Sequence, residues 1–399
     1  MAVVRLKRGE ERRLRSGHPW IYASEVEEVE GEVRPGEVVE IQNSARHFLG
    51  RGYFNPRSRI AVRRLTELDE PIDEAFFRRR LLAARAHRER FCPGETAMRL
   101  VFSEGDLLPG LIVDRYGEVL VLQILTLGME RWREVVVGLL VELFQPRSIY
   151  EKSDVPARRH EGLEPVRGLL WGEEPGEVVI EDGPLRFRVD VAAGQKTGYF
   201  LDQRLNRRLL EPLVRGGRVL DAFTYTGGFA VHAAFYGARE VWGWDVSAEA
   251  VDLARRNAAL NGVASLCTFE VQNAFDGLRA LAEQGPSFDV VILDPPAFAK
   301  AGREEALAGA VRGYKEINLR ALKILRPGGF LVTASCSHHI APELFLHIVE
   351  EAAADAHCRL RRVALTGQPP DHPVLLGVPE TRYLTFAVFE VVERVHRRR

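Results

Sequence analysis

Four cysteines occur in the 399 residues, and one of them stands where covalent chemistry is possible. Cys336 follows Gly328-Gly329-Phe330-Leu331-Val332-Thr333-Ala334-Ser335, an apolar run that reads as a buried parallel strand. Ligands of open α/β sheets bind beyond the carboxyl ends of the strands, so a thiol at that point faces a ligand and not a core. As a thiolate it is a nucleophile, and nearby donors or positive charge favour that form. A second run, Phe288-Asp289-Val290-Val291-Ile292-Leu293-Asp294-Pro295-Pro296-Ala297-Phe298, ends its strand in an acid. The two prolines fix φ and remove two donors, which holds the loop and Asp294 rigid. A thiolate able to add to an electron-poor ring and a carboxylate able to grip its polar edge make Cys336 and Asp294 the expected catalytic pair.

A third acid and a fourth define the pocket for a second molecule. The stretch Arg218-Val219-Leu220-Asp221-Ala222-Phe223-Thr224-Tyr225-Thr226-Gly227-Gly228 reads as strand, acid and tight glycine turn, with a helix after it. Glu240-Val241-Trp242-Gly243-Trp244 is a further strand ending in Asp245. Two parallel strands with acids at their carboxyl ends form a nucleoside crevice, and the second acid can accept from ribose hydroxyls. A pyrophosphate fingerprint would read G-x-G-x-x-G, whereas here Asp221 points negative charge at that place. The pocket therefore suits a cationic or amine-bearing nucleoside. This pattern resembles motif I of class I S-adenosylmethionine-dependent methyltransferases, with Tyr225 where most carry glycine. The resemblance implies S-adenosylmethionine as cofactor, lined by Asp221, Phe223, Tyr225, Thr226, Gly227, Gly228, Asp245, Val246, Asn273, Ala274 and Asp294. Asn273 stands where many such enzymes have an acid for the adenine amine, and its side-chain carbonyl can accept the same bond.

Ahead of the crevice runs Gly194-Gln195-Lys196-Thr197-Gly198-Tyr199-Phe200-Leu201-Asp202-Gln203-Arg204-Leu205-Asn206-Arg207. Capping accounts for Asp202 and exposure for Arg207, but neither accounts for Lys196, Thr197, Phe200 and Arg204 in one short loop. The run resembles the segment before motif I in RNA cytosine-5 methyltransferases, which implies that Phe200, Asp202 and Arg204 line the cofactor or base pocket. The Asp-Pro-Pro run resembles motif IV of base-modifying methyltransferases, and Ser335-Cys336-Ser337 resembles motif VI of pyrimidine-5 methyltransferases that use one cysteine. No cysteine follows Pro295, so the two-cysteine scheme is excluded and the base that removes the C5 proton stays open among a carboxylate, a histidine and solvent.

The elements that carry these residues fall into three expected domains. Residues 1–70 form short β-like runs with glycine turns, such as Glu37-Val38-Val39-Glu40-Ile41 and Arg59-Ile60-Ala61-Val62-Arg63. Arg5, Arg8, Arg12, Arg13, Arg15, Arg46, Arg51, Arg57, Arg59, Arg63 and Arg64 alternate there with Trp20, Tyr22, Phe48, Tyr53 and Phe54, a pattern for gripping structured RNA by phosphate contact and stacking. Gly17-His18-Pro19-Trp20-Ile21-Tyr22 and Gly50-Arg51-Gly52-Tyr53-Phe54-Asn55 resemble a PUA domain, a small β-barrel. Residues 71–190 read as a central α+β domain, with helices over 72–91 and 130–144 and a hairpin about Tyr116-Gly117-Glu118. Asp106, Asp114 and Asp154 read there as exposed turn acids. Residues 191–399 are the Rossmann-like α/β methyltransferase domain.

Bulk properties narrow the class. The net charge of −1 gives no overall nucleic-acid signature, so RNA binding rests on local patches. Cys92, Cys267, Cys336 and Cys358 lack metal or redox spacing, which predicts no metal and a reduced, cytoplasmic setting. No long uncharged apolar run could cross a bilayer, and no leader pattern opens the sequence. Together the motifs resemble the PUA-containing 23S rRNA cytosine-5 methyltransferases over the whole chain. That resemblance implies 23S rRNA as substrate, cytosine as the base and a homodimer. Two other readings stay open: an N-methyltransferase on a purine amine, supported by Asp-Pro-Pro, and a non-catalytic RNA-binding assembly factor.

Overall fold

A computed structural model describes residues 1–192, 194, 197–285, 287–298 and 304–395. Lys196 and Gln195, two residues of the loop singled out above, lie outside the described residues. The chain divides into two compact units: Met1–Ile180 with Val189–Leu201 and Pro370–Thr381, and Glu181–Arg188 with Asp202–Pro369 and Arg382–Arg399. The expected boundaries at 70 and 190 mark changes of sheet, but contacts run across both. Across the first, the Tyr53 hydroxyl donates to the Pro109 carbonyl and Asn55 Nδ2 to the Glu161 carbonyl at 3.0 Å; across the second, the Tyr116 and Thr197 hydroxyls are bonded at 2.8 Å.

The first unit holds two sheets. Trp20–Tyr22, Ile60–Thr66, Phe48–Phe54, Val38–Gln42, Val3–Leu6 and Val26–Glu30 lie side by side in that order. Val4, Leu6, Ile21, Val39, Ile41 and Val62 alternate inward to make their core. Val166–Gly172, Ser148–Ser153, Val119–Ile124, Leu111–Tyr116 and Ala97–Phe102 form the second sheet, in the same unit as helices Glu74–Phe91 and Arg133–Phe144. The helix expected over 130–144 is broken at Arg131-Trp132, because Thr126 caps a separate turn, Leu127–Glu130.

Several charged residues are not where pattern placed them. Arg5, Arg63 and Arg64 are buried: Arg63 pairs with Glu161 at 2.8 Å, Arg64 donates to the Leu14 carbonyl at 3.0 Å, and Arg5 pairs with Glu28 at 2.9 Å. Tyr53 and Phe54 are core rings. Of the arginines in the pattern, Arg8, Arg12, Arg15, Arg46, Arg57 and Arg59 are exposed, all outside the strands. Asp114 is no turn acid. It is fully buried in a strand, held by Arg99 at 2.7 and 2.8 Å, and accepts from the Thr197 hydroxyl at 2.6 Å. Asp106 likewise takes both Nη atoms of Arg88, at 2.5 and 2.8 Å. Asp154 alone is exposed, paired with Arg167 at 2.8 Å.

The second unit holds a seven-stranded sheet. Its strands are β1 (Arg218–Asp221), β2 (Glu240–Asp245), β3 (Cys267–Val271), β4 (Phe288–Leu293), β5 (Leu325–Ser335), β6 (Cys358–Thr366) and β7 (Thr385–Arg394), in the spatial order 3-2-1-4-5-7-6. β1 to β5 are parallel, and β7 runs antiparallel between β5 and β6. Helices α1 (Gly228–Phe235), α2 (Ala248–Leu260), α3 (Ala274–Gln284), α4 (Glu304–Ile324) and α5 (Pro342–Asp355) complete the crossovers. Leu220, Val291, Leu293, Tyr314, Ile317, Leu331, Phe345 and Ile348 form its core between sheet and helices. The order of strands reverses between β1 and β4, so the crevice opens at the carboxyl ends of β1, β2, β4 and β5. Among the described residues no helix is long and apolar enough to cross a membrane, and no cluster of His, Cys, Asp or Glu could hold a metal ion.

Candidate active site

Asp221 is the last residue of β1 and is wholly buried. Its Oδ2 accepts from Ala230 N, in the first turn of α1, at 3.1 Å, while Oδ1 has no hydrogen-bond partner. Burial pushes this carboxyl up to about 7, and the charge of Asp294 pushes the same way. The Thr224 hydroxyl lowers it, though it stands outside hydrogen-bonding geometry, and backbone N–H groups of Phe223 and Ala230 oppose the rise too. The Thr226 hydroxyl is also buried without a partner. Unmet acceptors of this kind, deep in a crevice, call for a ligand with donors or positive charge.

The turn between β1 and α1 has the shape that its residues demand. Gly227 sits at φ +87° as the cap of α1, and a Cβ there would meet Ala254 and Val231 at 3.2 Å. Tyr225 takes φ +48°, a conformation that costs a non-glycine residue on the order of 1–3 kcal/mol. Its N–H compensates by donating to Asp245 Oδ2 at 3.0 Å. Ser247 N donates to the other oxygen of Asp245, also at 3.0 Å, so the carboxylate at the end of β2 is fixed by two backbone donors. Val246, beside it, is 70% exposed. Phe223 is half-buried, and Gly228 and Ala274 are buried.

Asn273 has a structural role beside the one expected. It caps α3, and its side-chain carbonyl accepts from Phe275 N at 2.9 Å and Asp276 N at 3.4 Å. The same oxygen is the one expected to accept from an adenine amine.

The run before β1 crosses from one unit to the other between Leu201 and Asp202. Phe200 is half-buried and belongs to the first unit, where Thr197 and Tyr199 bond the Tyr116 hydroxyl at 2.8 and 3.2 Å. Asp202 and Arg204 belong to the second and are buried. Asp202 Oδ2 accepts from the Tyr383 hydroxyl at 2.7 Å, so its role is not that of an exposed cap. Arg207, expected in solvent, is 2% exposed and pairs with the equally buried Asp182 at 2.6 Å.

The two expected catalytic residues come together. Asp294 follows β4 directly, and Gln203 Nε2 donates to its Oδ1 at 2.9 Å. Cys336 follows β5 and is partly exposed, with Sγ 3.8 Å from the carbonyl oxygen of Pro295. Ser335 donates to the Tyr314 hydroxyl at 3.0 Å, which ties the end of β5 to α4. Burial and the charges of Cys336 and Asp294 hold the Tyr314 phenol above its usual range, so it stays neutral. Phe298 packs on Tyr314 (ring centroids 4.7 Å) and Phe275 (5.7 Å). His338 and His339 are exposed, and His338 lies 5.5 Å from the Tyr383 ring. Cys92 and Cys358 are buried, and burial pushes the half-buried Cys267 thiol up to about 12. Gln203 and Tyr383 were not singled out from sequence. Gln203 sits inside a run already marked, but nothing local marks Tyr383, 181 residues from its partner.

Known proteins share this arrangement of domains. Residues 4–67 match the PUA-like domain, and residues 166–386 match the S-adenosylmethionine-dependent methyltransferase family. The chain is 42% identical to the ribosomal RNA large subunit methyltransferase I of Shewanella denitrificans, over 98% of this chain and 100% of that protein. It is also 42% identical to the protein of the same name from Tolumonas auensis, over 98% and 99%. Among solved structures, a putative S-adenosylmethionine-dependent methyltransferase from Streptococcus mutans shares the fold, with TM-score 0.83 and 22% identity over 97% of this chain and all of that one. A putative methyltransferase complexed with SAH does so as well, at TM-score 0.83 and 21% identity over 98% and 100%.

Proposed function

Because the chain belongs to the S-adenosylmethionine-dependent methyltransferase family, alongside the ribosomal RNA large subunit methyltransferases I, we propose that it methylates C5 of a cytosine in 23S rRNA through a Cys336 adduct. The observation that carries this reading is the placement of the Cys336 thiol beside the loop of Asp294. A nucleophile and an acid at one mouth are what C5 chemistry needs, whereas an amine-directed enzyme has no use for the thiol. Phe298, the aromatic residue of the Asp-Pro-Pro run, packs on Phe275 and Tyr314.

The crevice residues fit the cofactor. The unpartnered Asp221 oxygen and the Thr226 hydroxyl suit its amine-bearing, cationic end, Asp245 suits the ribose hydroxyls, and Val246 suits the adenine face. Bound there, S-adenosylmethionine supplies the electrophilic methyl group that C5 receives. The protein's own part begins with a cytosine taken out of its stack. The Cys336 thiolate adds to C6, forming a C–S bond and moving the C5–C6 electron pair onto C5. Asp294 accepts from the polar edge of the ring and keeps it in register while charge develops. After methylation a base takes the C5 proton, the electron pair reforms the double bond, and the C6–S bond breaks to return the thiolate. The exposed arginines Arg8, Arg12, Arg15, Arg46, Arg57 and Arg59 supply phosphate contacts to the RNA. We further propose three domains, at 1–70, 71–190 and 191–399, a homodimer, and work in the cytoplasm.

Nucleoside mass spectrometry of 23S rRNA treated with the protein and cofactor tests this. We expect 5-methylcytidine from the wild type and none from Cys336→Ala. An N-methylated purine would overturn the assignment.

A further inference from the structure

We propose that Gln203, itself set by Asn206, is the positioning residue that aims Asp294 at the substrate base and keeps it an acceptor. This rests on the reading of Asp294 as the acid that grips the ring. Gln203 and Asn206 are each 2% exposed, and together they form a hydrogen-bond relay with a defined direction. The direction is imposed from the far end. The Gly367 carbonyl can only accept, and it accepts a hydrogen bond from Asn206 Nδ2 at 3.3 Å. The Thr366 hydroxyl donates to Asn206 Oδ1 at 2.8 Å, which agrees with the orientation that the Gly367 carbonyl imposes. Its second N–H then goes to Gln203 Oε1 at 2.6 Å. With its oxygen taken, Gln203 must present Nε2 to Asp294, and it does so at 2.9 Å.

The consequence for Asp294 follows from its surroundings. Asp221 at the end of β1, Tyr314 on α4 and Cys336 after β5 lie near it, and the charge of Asp294 raises the carboxyl of Asp221. Two acids in one crevice drive each other toward the protonated form. A donated hydrogen bond favours the ionised carboxylate and fixes its plane. An ionised Asp294 accepts from an amine on the base, as cytosine offers and uracil does not. Were the Gln203 amide reversed, its oxygen would face the carboxylate and Asp294 would have to carry a proton.

The test uses the full chain, RNA substrate and S-adenosylmethionine, with four variants: Gln203→Leu, Asn206→Asp, their double, and Gln203→Glu. Asn206→Asp keeps the shape but removes the donor that orients Gln203. We expect Gln203→Leu and Asn206→Asp each to lower kcat by about 10–100-fold while changing KM for RNA far less. The double should be no worse than the worse single, because both break one relay. In Gln203→Glu a protonated carboxyl can still donate to Asp294, so its rate relative to wild type should rise as pH falls from about 8 to about 6. Melting curves identify any variant that fails to fold, and Gln203→Glu, which keeps the size of the side chain, then carries the test alone. Additive losses in the double, or a Gln203→Glu ratio that is flat with pH, would overturn the proposal. A wild type that makes no 5-methylcytidine would instead strike at the cytosine reading on which it rests.

Discussion

The thiol of Cys336 lies 3.8 Å from the carbonyl oxygen of Pro295, the residue that follows Asp294. The ends of β4 and β5, about forty residues apart in sequence, therefore bring the Cys336 thiol beside the loop that carries the Asp294 carboxyl. Adjacent parallel strands do this by construction, since their carboxyl ends share an edge. What the fold adds is restraint: the Pro-Pro loop on one side and the Ser335–Tyr314 hydrogen bond on the other.

Asp221 should make both stability and cofactor binding depend on pH. A carboxyl raised to about 7 by burial favours the folded state most below its ordinary range. That contribution is lost as pH rises through the raised value, so the cofactor-free protein should lose thermal stability between about pH 4 and about pH 7. Asp221→Asn should flatten the trend. A cationic ligand against Asp221 reverses the burial effect, and calorimetry in buffers of different ionisation enthalpy should find about half a proton released on binding at pH 7. Release that is unchanged in Asp221→Asn would show that another group titrates.

Asn273 is a helix cap first. Removing its oxygen in Asn273→Ala should cost about 1 kcal/mol of stability through fraying of α3. Asn273→Asp keeps an oxygen for Phe275 N and Asp276 N and should restore that stability. Denaturant unfolding of the three proteins decides it, and an Asn273→Ala protein as stable as wild type would remove the capping role.

The Arg207–Asp182 pair is buried on both sides, at 2.6 and 2.7 Å. His232 is 3.9 Å from the same carboxylate, and burial pushes its pKa down to about 4, so it stays neutral and cannot replace the arginine. Arg207→Leu should therefore destabilise by about 3–5 kcal/mol, and Asp182→Leu with Arg207→Leu should recover much of that. Urea midpoints measure both, and a mild effect of the single change would mean that water reaches the pair.

These cases show which parts of the molecule a sequence makes legible. Strand ends carrying Asp221, Asp245, Asp294 and Cys336 are local patterns: an apolar run, then a reactive residue, then a turn. Each could be read within a dozen residues. The supports could not. Asp114 looked like a turn acid because its partners Arg99 and Thr197 come from other stretches of the chain, and Arg207 looked exposed because Asp182 lies 25 residues away. The capping role of Asn273 is hidden for a related reason: a cap and a ligand acceptor use the same atom. Gln203 gains its meaning only from Asn206, Thr366 and Gly367, which reach it through the fold.

The most direct test of a covalent cysteine is to trap it. RNA carrying 5-fluorocytosine has no C5 proton to lose, so an enzyme that has added to C6 and transferred the methyl group stays bonded to it. With cofactor present, wild-type protein should give an adduct that survives denaturation, mapped by peptide mass spectrometry to Cys336, and Cys336→Ala should give none. An equally abundant adduct in Cys336→Ala, or 5-methylcytidine formed at the wild-type rate by that variant, would contradict the account.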